Sequence, residues 1–201
     1  MPERSNEIWN EVASAGRGVA ALVVGNRRAG SYFDFSDRGL VGSFIAFLTV
    51  TLITAALPLL LGMPGAKGSV FRAVATVLIL FSFQIAFSAL LLRQLKRLDG
   101  LVPYLVADNW ASFFLTTAST LLSLFGIGGE FLVFAVGILV IVIEINIARL
   151  IVTLTAWQIA MFLVAQLVGV SIALLLVGMI FPLSPEQLAE LGAAATSSPP
   201  S

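Results

Sequence analysis

Apolar runs long enough to cross a bilayer occur five times along the chain, and short segments that carry most of the charges separate them. A membrane-spanning helix needs about 20 predominantly apolar residues. The pattern therefore predicts an all-α polytopic membrane helix bundle with five transmembrane helices, at about residues 39–62, 73–92, 109–129, 131–148 and 158–181. The last two helices share one run whose only charges are Glu144 and Arg149. We place their turn between Arg149 and Trp157, which are suited to the membrane interface.

The distribution of Lys and Arg residues predicts the orientation of this bundle. Positive residues concentrate in the short loops on the cytoplasmic side of a membrane. With five spans and the N-terminus inside, nine Lys and Arg residues lie in the cytoplasm and two lie outside. The opposite orientation reverses that bias, so we predict a cytoplasmic N-terminus and an external C-terminus.

The two ends of the chain differ from the apolar centre. Residues 1–37 are predicted to be a cytoplasmic segment, 38–182 the transmembrane domain, and 183–201 a short flexible outer tail of small and polar residues. Apolar residues recur at helical spacing over residues 6–24, which predicts an amphipathic helix. That helix either lies on the membrane surface or packs on the loops of the bundle. Its candidate interface residues are Ile8, Trp9, Val12 and Val19.

Composition supports a membrane protein and argues against an enzyme. The chain is 59% hydrophobic and 11% charged, whereas soluble domains are about 25% charged. Cys and His are absent, which removes the thiol nucleophile, the commonest metal ligand and the usual acid/base group at neutral pH. No phosphate-binding loop or Gly-x-Ser-x-Gly motif occurs. We therefore predict no catalytic residues, no metal, no cofactor and no nucleic-acid partner.

Glu144 is the candidate functional residue, because it lies inside an apolar span. It is about 21 Å along a helix that begins at Glu130, and Arg149 points about 140° away around that helix. Glu144 therefore needs a partner from another helix, a water-filled crevice or a proton. Polar residues of other spans lie at a similar depth, and with Glu144 they form a candidate polar layer of Gln84, Thr116, Glu144 and Gln166.

The structural alternative is that these side chains only hold helices together. Isolated Gln and Thr residues often form hydrogen bonds between transmembrane helices, each contributing about 1 kcal/mol or less. Glu144 would then bond Arg93 or Asn109 at the helix ends. A ridge of small residues on the last span, Ala165, Gly169 and Ala173, predicts close helix packing, either within the chain or in a dimer.

The stretch "VPYLVADNW" opens the third predicted span and ends in Asn109 and Trp110. Together with five spans, a cytoplasmic N-terminal segment and a short outer tail, it resembles the Yip-domain (Ypt-interacting protein) family and five-span proteins of alphaproteobacteria. The resemblance covers residues 38–182. It implies a role in membrane organisation and transfers no catalytic residues. The Asp-Leu-Tyr-Gly-Pro element of the eukaryotic members is missing, so no small-GTPase partner is predicted.

The sequence thus predicts a non-enzymatic integral membrane protein that serves as a scaffold or as an accessory subunit of a membrane assembly. Nine Arg against two Lys favour a GC-rich bacterial genome and hence a bacterial inner membrane. The expected partners are the lipid bilayer and other membrane proteins or a second copy of the chain. The alternative is a small transporter or channel component that uses the polar layer around Glu144.

Overall fold

The computed structural model describes residues 2–62 and 68–182, and over these ranges it is helical and contains no strand. The prediction of an all-α fold is confirmed. The predicted flexible tail, residues 183–201, lies outside the described residues. The six α-helices are α1 (Pro2–Val23), α2 (Asp37–Leu60), α3 (Ser69–Gln94), α4 (Leu101–Leu124), α5 (Glu130–Asn146) and α6 (Ala156–Ile180). Short 3-10 turns cover Ala29–Tyr32 and Leu98–Gly100, and a π-turn, Ile147–Ile151, continues α5.

Among the described residues, four helices, not five, are long and apolar enough to cross a membrane. They are α2, α3, α6, and α5 together with its π-turn. The predicted count of five spans is therefore wrong. The helix that fails is α4, because Asp108, Asn109 and several hydroxyl side chains lower its hydropathy. It also runs from Leu101 to Leu124 rather than over the predicted residues 109–129. The predicted orientation of the bundle in the membrane stays a prediction.

The position of α4 explains its lower hydropathy. Every side chain from Tyr104 to Ala111 is buried, because α1, α2, α3 and α5 all contact this helix. α4 packs along α2, and α3 packs along α6. A helix that is enclosed by protein does not need the lipid-facing apolar surface of an outer helix, so it can carry polar residues that find partners inside the bundle.

We use the term base for the end of the bundle where α2, α4 and α6 begin and α3 and α5 end. α1 packs across the base, where Ala15, Val19 and Leu22 are buried against α4 and α5. The first half of α1 is different, since Ile8 is 58% exposed and Trp9 is 71% exposed. The amphipathic helix therefore docks on the bundle through its second half, with Val12 partly buried, and leaves an apolar surface at its start.

The turn between the last two helices is shorter than the predicted one. Thr155 caps α6 by accepting a hydrogen bond from the backbone N–H of Gln158, whose side chain accepts from the Thr155 N–H in return. This capping box begins the helix at Ala156. Arg97 holds the preceding residues to the base, because its guanidinium donates to the Thr153 hydroxyl oxygen at 2.6 Å.

The ridge of small residues on α6 packs within the chain. Ala173 is buried, and a Cβ added at Gly169 would lie 2.9 Å from the Phe87 ring of α3. Ala165 is half-buried on the same helix. Of the two uses predicted for this ridge, the structure shows helix packing between α3 and α6.

Glu11 of α1 lies over Gly42 of α2, and a Cβ atom added at Gly42 would lie 2.8 Å from the Glu11 Oε1 atom. That oxygen is buried and has no hydrogen-bond partner among the described residues. Burial raises the pKa of the Glu11 carboxyl, the charge of Asp34 raises it further, and Arg38 opposes the shift. The folded state therefore binds this proton more tightly than the unfolded chain, so the stability from this site is complete at low pH and is lost as the pH rises through the raised pKa.

We expect Glu11→Gln to raise the midpoint of thermal unfolding in detergent at about pH 8 and to have no such effect at about pH 3, where the native carboxyl is protonated in both states. The matched control is Glu7→Gln on the same helix. Glu7 Oε2 accepts from Arg38 at 2.8 Å, so this change removes an ion pair and should not stabilise the protein. A Glu11→Gln midpoint that is unchanged at pH 8 would contradict the prediction.

Candidate functional site: a buried carboxyl cluster

Polar side chains from four helices meet in the base half of the bundle. They are Gln84 of α3, Tyr104 and Asp108 of α4, Glu144 of α5 and Gln166 of α6, and we call these five residues the carboxyl cluster. The Tyr104 hydroxyl oxygen is the central acceptor, since Gln84 Nε2 and Gln166 Nε2 each donate to it at 2.9 Å. The same two amides also reach the carboxyl groups. Gln84 Nε2 donates to Asp108 Oδ2 at 3.1 Å, and Gln166 Nε2 donates to Glu144 Oε2 at 3.4 Å.

The carboxyl groups of Asp108 and Glu144 are brought together by the amides, since Gln84 donates to Asp108, Gln166 donates to Glu144, and both amides donate to the Tyr104 hydroxyl oxygen. Each acid is only 7% exposed, and no Lys or Arg in the described ranges forms an ion pair with either. Removing an ion from water without a counter-charge has a penalty of several kcal/mol. Two neighbouring carboxylates would also repel each other, and a proton on one of them removes that repulsion. The surroundings therefore favour a pair that carries at least one proton.

The spacing of α4 and the packing of α6 position the central tyrosine. Tyr104 and Asp108 are four residues apart, so they lie on one face of α4. Tyr104 is fully buried, and the Phe162 ring of α6 packs edge-on against it with centroids 5.0 Å apart. Ser88 lies one turn from Gln84 on α3 and is buried as well, and its hydroxyl has no hydrogen-bond partner among the described residues. The cluster is thus an enclosed polar site inside an apolar bundle.

Three of the four residues predicted for the polar layer, Gln84, Glu144 and Gln166, meet in this cluster. Thr116 does not, and its carbonyl oxygen accepts from the Ser119 hydroxyl at 3.1 Å. The expected start of the third span at Asn109 was eight residues late, so the depth assigned to Thr116 was too close to the base. The expected bonds from Glu144 to Arg93 or Asn109 also do not form, because Arg93 is exposed and the Asn109 amide donates to Ser43.

Sequence reasoning missed Tyr104 and Asp108. Asp108 immediately precedes the third span predicted from residue 109, although it lies in the second turn of α4. Pro103 in the first turn was the available signal, since proline is tolerated there and often marks a helix start. A helix that begins near Leu101 places Tyr104 and Asp108 on one face with an i, i+4 spacing.

A buried hydrogen bond connects the cluster region to α1. Asn146, two residues after Glu144, donates from Nδ2 to the Leu22 carbonyl oxygen at 2.7 Å. A Cβ added at Gly25 would lie 3.7 Å from Asn146 Oδ1, and this glycine has a φ of +68°. The end of α1 is therefore held directly by the helix that carries Glu144.

The chain matches no protein-family model, no curated protein and no solved structure. The resemblance to Yip-domain proteins therefore stays a prediction. Four long apolar helices are consistent with an integral membrane protein.

Proposed function

We propose that the Asp108–Glu144 pair takes up and releases a proton, and that the protein is a component of a small transporter or channel. The observation that supports this function is that two buried carboxyl groups meet around one tyrosine hydroxyl and have no cationic partner among the described residues. Ionisable residues inside a membrane bundle often belong to proton relays and ion pathways. A site built only for helix packing would be satisfied by the two glutamines and would not need two acids.

The way α5 is packed supports a change of structure on titration. Only the end of α5 near Glu144 and the following π-turn is buried, whereas Phe131 at its start is 80% exposed and Val133 is 74% exposed. A Cβ added at Gly137 would meet nothing within 4 Å. A proton held by the pair would keep α5 against α4 at the carboxyl cluster. Loss of the last proton would leave two neighbouring carboxylates, and neighbouring like charges repel, so α5 is the element that would move.

The protonation state is tested directly by infrared titration of the purified protein in lipid nanodiscs. We expect the native protein to show the C=O stretching band of a protonated carboxyl at neutral pH, and we expect Glu144→Gln and Asp108→Asn each to remove or shift that band. The matched control is Glu130→Gln, since Glu130 is an exposed acid at the start of the same helix. A native protein without the band, or a band that both variants leave unchanged, would show that the pair does not hold a proton.

Proton transport is tested in liposomes that contain the protein and a pH-sensitive dye. We expect a pH step across the membrane to dissipate through the native protein at least about tenfold faster than through Glu144→Gln, as for loss of a general acid–base group. Glu130→Gln should behave like the native protein. Equal rates for the native protein and Glu144→Gln would contradict the transport function even where the infrared result holds.

A scaffold or accessory subunit in a bacterial inner membrane is the second candidate, and α1 is the feature that favours it. Ile8 and Trp9 expose apolar side chains on a helix that is otherwise docked on the bundle. The hydrogen bond from Asn146 to the Leu22 carbonyl oxygen connects α1 to α5. If α1 binds a partner, Trp9→Ala should reduce recovery of a co-purifying membrane protein and leave the infrared band of the carboxyl pair unchanged.

A further inference from the structure

Two segments that contact each other at the base carry exposed arginines. The loop after α1 contains Arg27 and Arg28, the π-turn that continues α5 contains Arg149, and all three residues are exposed. The two segments pack together, since a Cβ added at Gly30 would lie 3.8 Å from the Ile151 Cγ1 atom. The three arginines therefore belong to one surface of the base, which we call the arginine patch.

Backbone hydrogen bonds hold the loop of the arginine patch in place. The Gly25 N–H donates to the Leu22 carbonyl oxygen at 3.0 Å, and Gly25 has a φ of +68°. The Asn26 N–H donates to the Ala21 carbonyl oxygen at 2.8 Å, which completes a Schellman motif at the end of α1. The Arg28 N–H then donates to the Asn26 side-chain oxygen at 2.9 Å. Because the backbone is already ordered, less entropy is lost when the arginines bind a ligand.

The protein around the arginine patch does not neutralise its charge. Residues 12–33 and 145–182, which include the two segments, contain no Asp or Glu. None of the three arginines forms an ion pair with an acid in the ranges that the structure describes. Guanidinium groups match the geometry of phosphate oxygens and bind them through paired N–H donors. A phosphate-bearing anion is therefore the complementary ligand.

The apolar helices next to the arginine patch put it where lipid headgroups lie. Arg149 is two residues from the end of the segment Glu130–Ile151, which is long and apolar enough to span a membrane. Trp157 lies in the first turn of α6, another such helix, and tryptophan is enriched where a membrane meets water. Trp157 is 74% exposed, and Val24, beside the loop arginines, is 76% exposed. A ligand here meets cationic and apolar side chains together.

We propose that the arginine patch binds the phosphate group of an anionic phospholipid, whose hydrocarbon chains lie against Val24 and Trp157. Basic residues next to membrane-spanning helices attract anionic headgroups. A phosphatidylcholine headgroup carries the same phosphate together with a quaternary ammonium group, which three arginines repel. The patch therefore distinguishes lipids by headgroup charge. This surface uses neither Asp108 nor Glu144 and does not depend on the proposed proton function.

The experiment measures which lipids surround Trp157 in the full chain. The protein with Trp9→Phe is reconstituted in bilayers of phosphatidylcholine and phosphatidylglycerol, one of which has brominated chains that quench nearby tryptophan fluorescence. Trp157 is then the exposed tryptophan, because Trp110 is buried. We expect half-maximal quenching at about a fivefold lower fraction of brominated phosphatidylglycerol than of brominated phosphatidylcholine. Equal quenching by the two lipids would overturn the proposal.

Two triple variants with the same loss of charge separate the arginine patch from the general positive charge of the base. Arg27→Gln, Arg28→Gln and Arg149→Gln together should remove the preference for phosphatidylglycerol. The control variant, which should keep the preference, carries glutamine at three bases that are exposed elsewhere on the base of the bundle: Arg17, Arg93 and Lys96. A preference that survives in the patch variant, or that both variants lose equally, would overturn the proposal.

Soluble anions test whether the ligand is a lipid. Inorganic phosphate and a polyglutamate peptide, each added at constant ionic strength, lack hydrocarbon chains that could cover Val24 and Trp157. Neither should change the quenching by brominated phosphatidylglycerol. Displacement of the lipid by inorganic phosphate or by the peptide would overturn the assignment of the arginine patch to a phospholipid.

Discussion

Tyr104→Phe is expected to lower the free energy of unfolding by about 2–4 kcal/mol. The change removes the hydroxyl oxygen that accepts from both Gln84 and Gln166 and keeps the ring packed on Phe162. Two buried amide groups then lose an acceptor, and each unsatisfied group has a penalty of about 1–3 kcal/mol. The measurement is reversible unfolding in mixed micelles by titration with sodium dodecyl sulfate, followed by circular dichroism.

The other tyrosine provides the matched control. Tyr32 is half-buried beside the core, and its hydroxyl forms no hydrogen bond with the residues that the structure describes, although its backbone oxygen accepts from Ser14. Tyr32→Phe should therefore change the free energy of unfolding by less than about 0.5 kcal/mol. Equal losses in the two variants would mean that the Tyr104 hydroxyl does not hold the cluster together.

Gly39→Ala is expected to destabilise the protein by about 3 kcal/mol. A Cβ at this position would lie 1.9 Å from the Asp34 backbone carbonyl oxygen, and a backbone atom cannot rotate away as a side chain can. The segment before α2 would have to move. That movement would disturb the hydrogen bond from the Ser36 N–H to Asp34 Oδ1, which is 3.0 Å long, and the cap that Ser36 places on α2. Thermal unfolding and proteolysis between α1 and α2 both report the loss.

The same change to alanine at Gly137 should not destabilise the protein. This glycine is inside α5, where an added Cβ meets nothing within 4 Å. Alanine is favoured over glycine in a helix interior by about 1 kcal/mol, so Gly137→Ala should be neutral or stabilising. A Gly39→Ala protein as stable as the native one would show that the approach of Asp34 to Gly39 is not a constraint on the fold.

Local properties of the chain were sufficient to predict the fold class and most of the helices. Apolar runs of spanning length identify α2, α3, α5 and α6, with ends that differ by a few residues from those observed. The small residues around Gly169 predicted a close helix contact, and the structure shows it at Phe87. Run length and helical period are properties of a single segment, so they can be determined without knowledge of its neighbours.

The same local reasoning failed at α4. Asp108 and Asn109 resemble a loop when a span is expected to face lipid, and they placed the helix start eight residues late. α4 tolerates both because neighbouring helices surround its first half. Burial inside a bundle is a property of the assembly of helices, and the hydropathy of α4 alone does not reveal it.

The sequence by itself determined that this is an all-α protein with membrane-spanning helices and a carboxylate, Glu144, that needs an internal partner. Only the tertiary structure decided which partner it has. Helical period sets the spacing of residues along one helix, but it sets neither the rotation of that helix about its axis nor its height relative to the next. Those two quantities depend on packing between helices, and they bring Asp108 and Tyr104, not Thr116, into the cluster with Glu144.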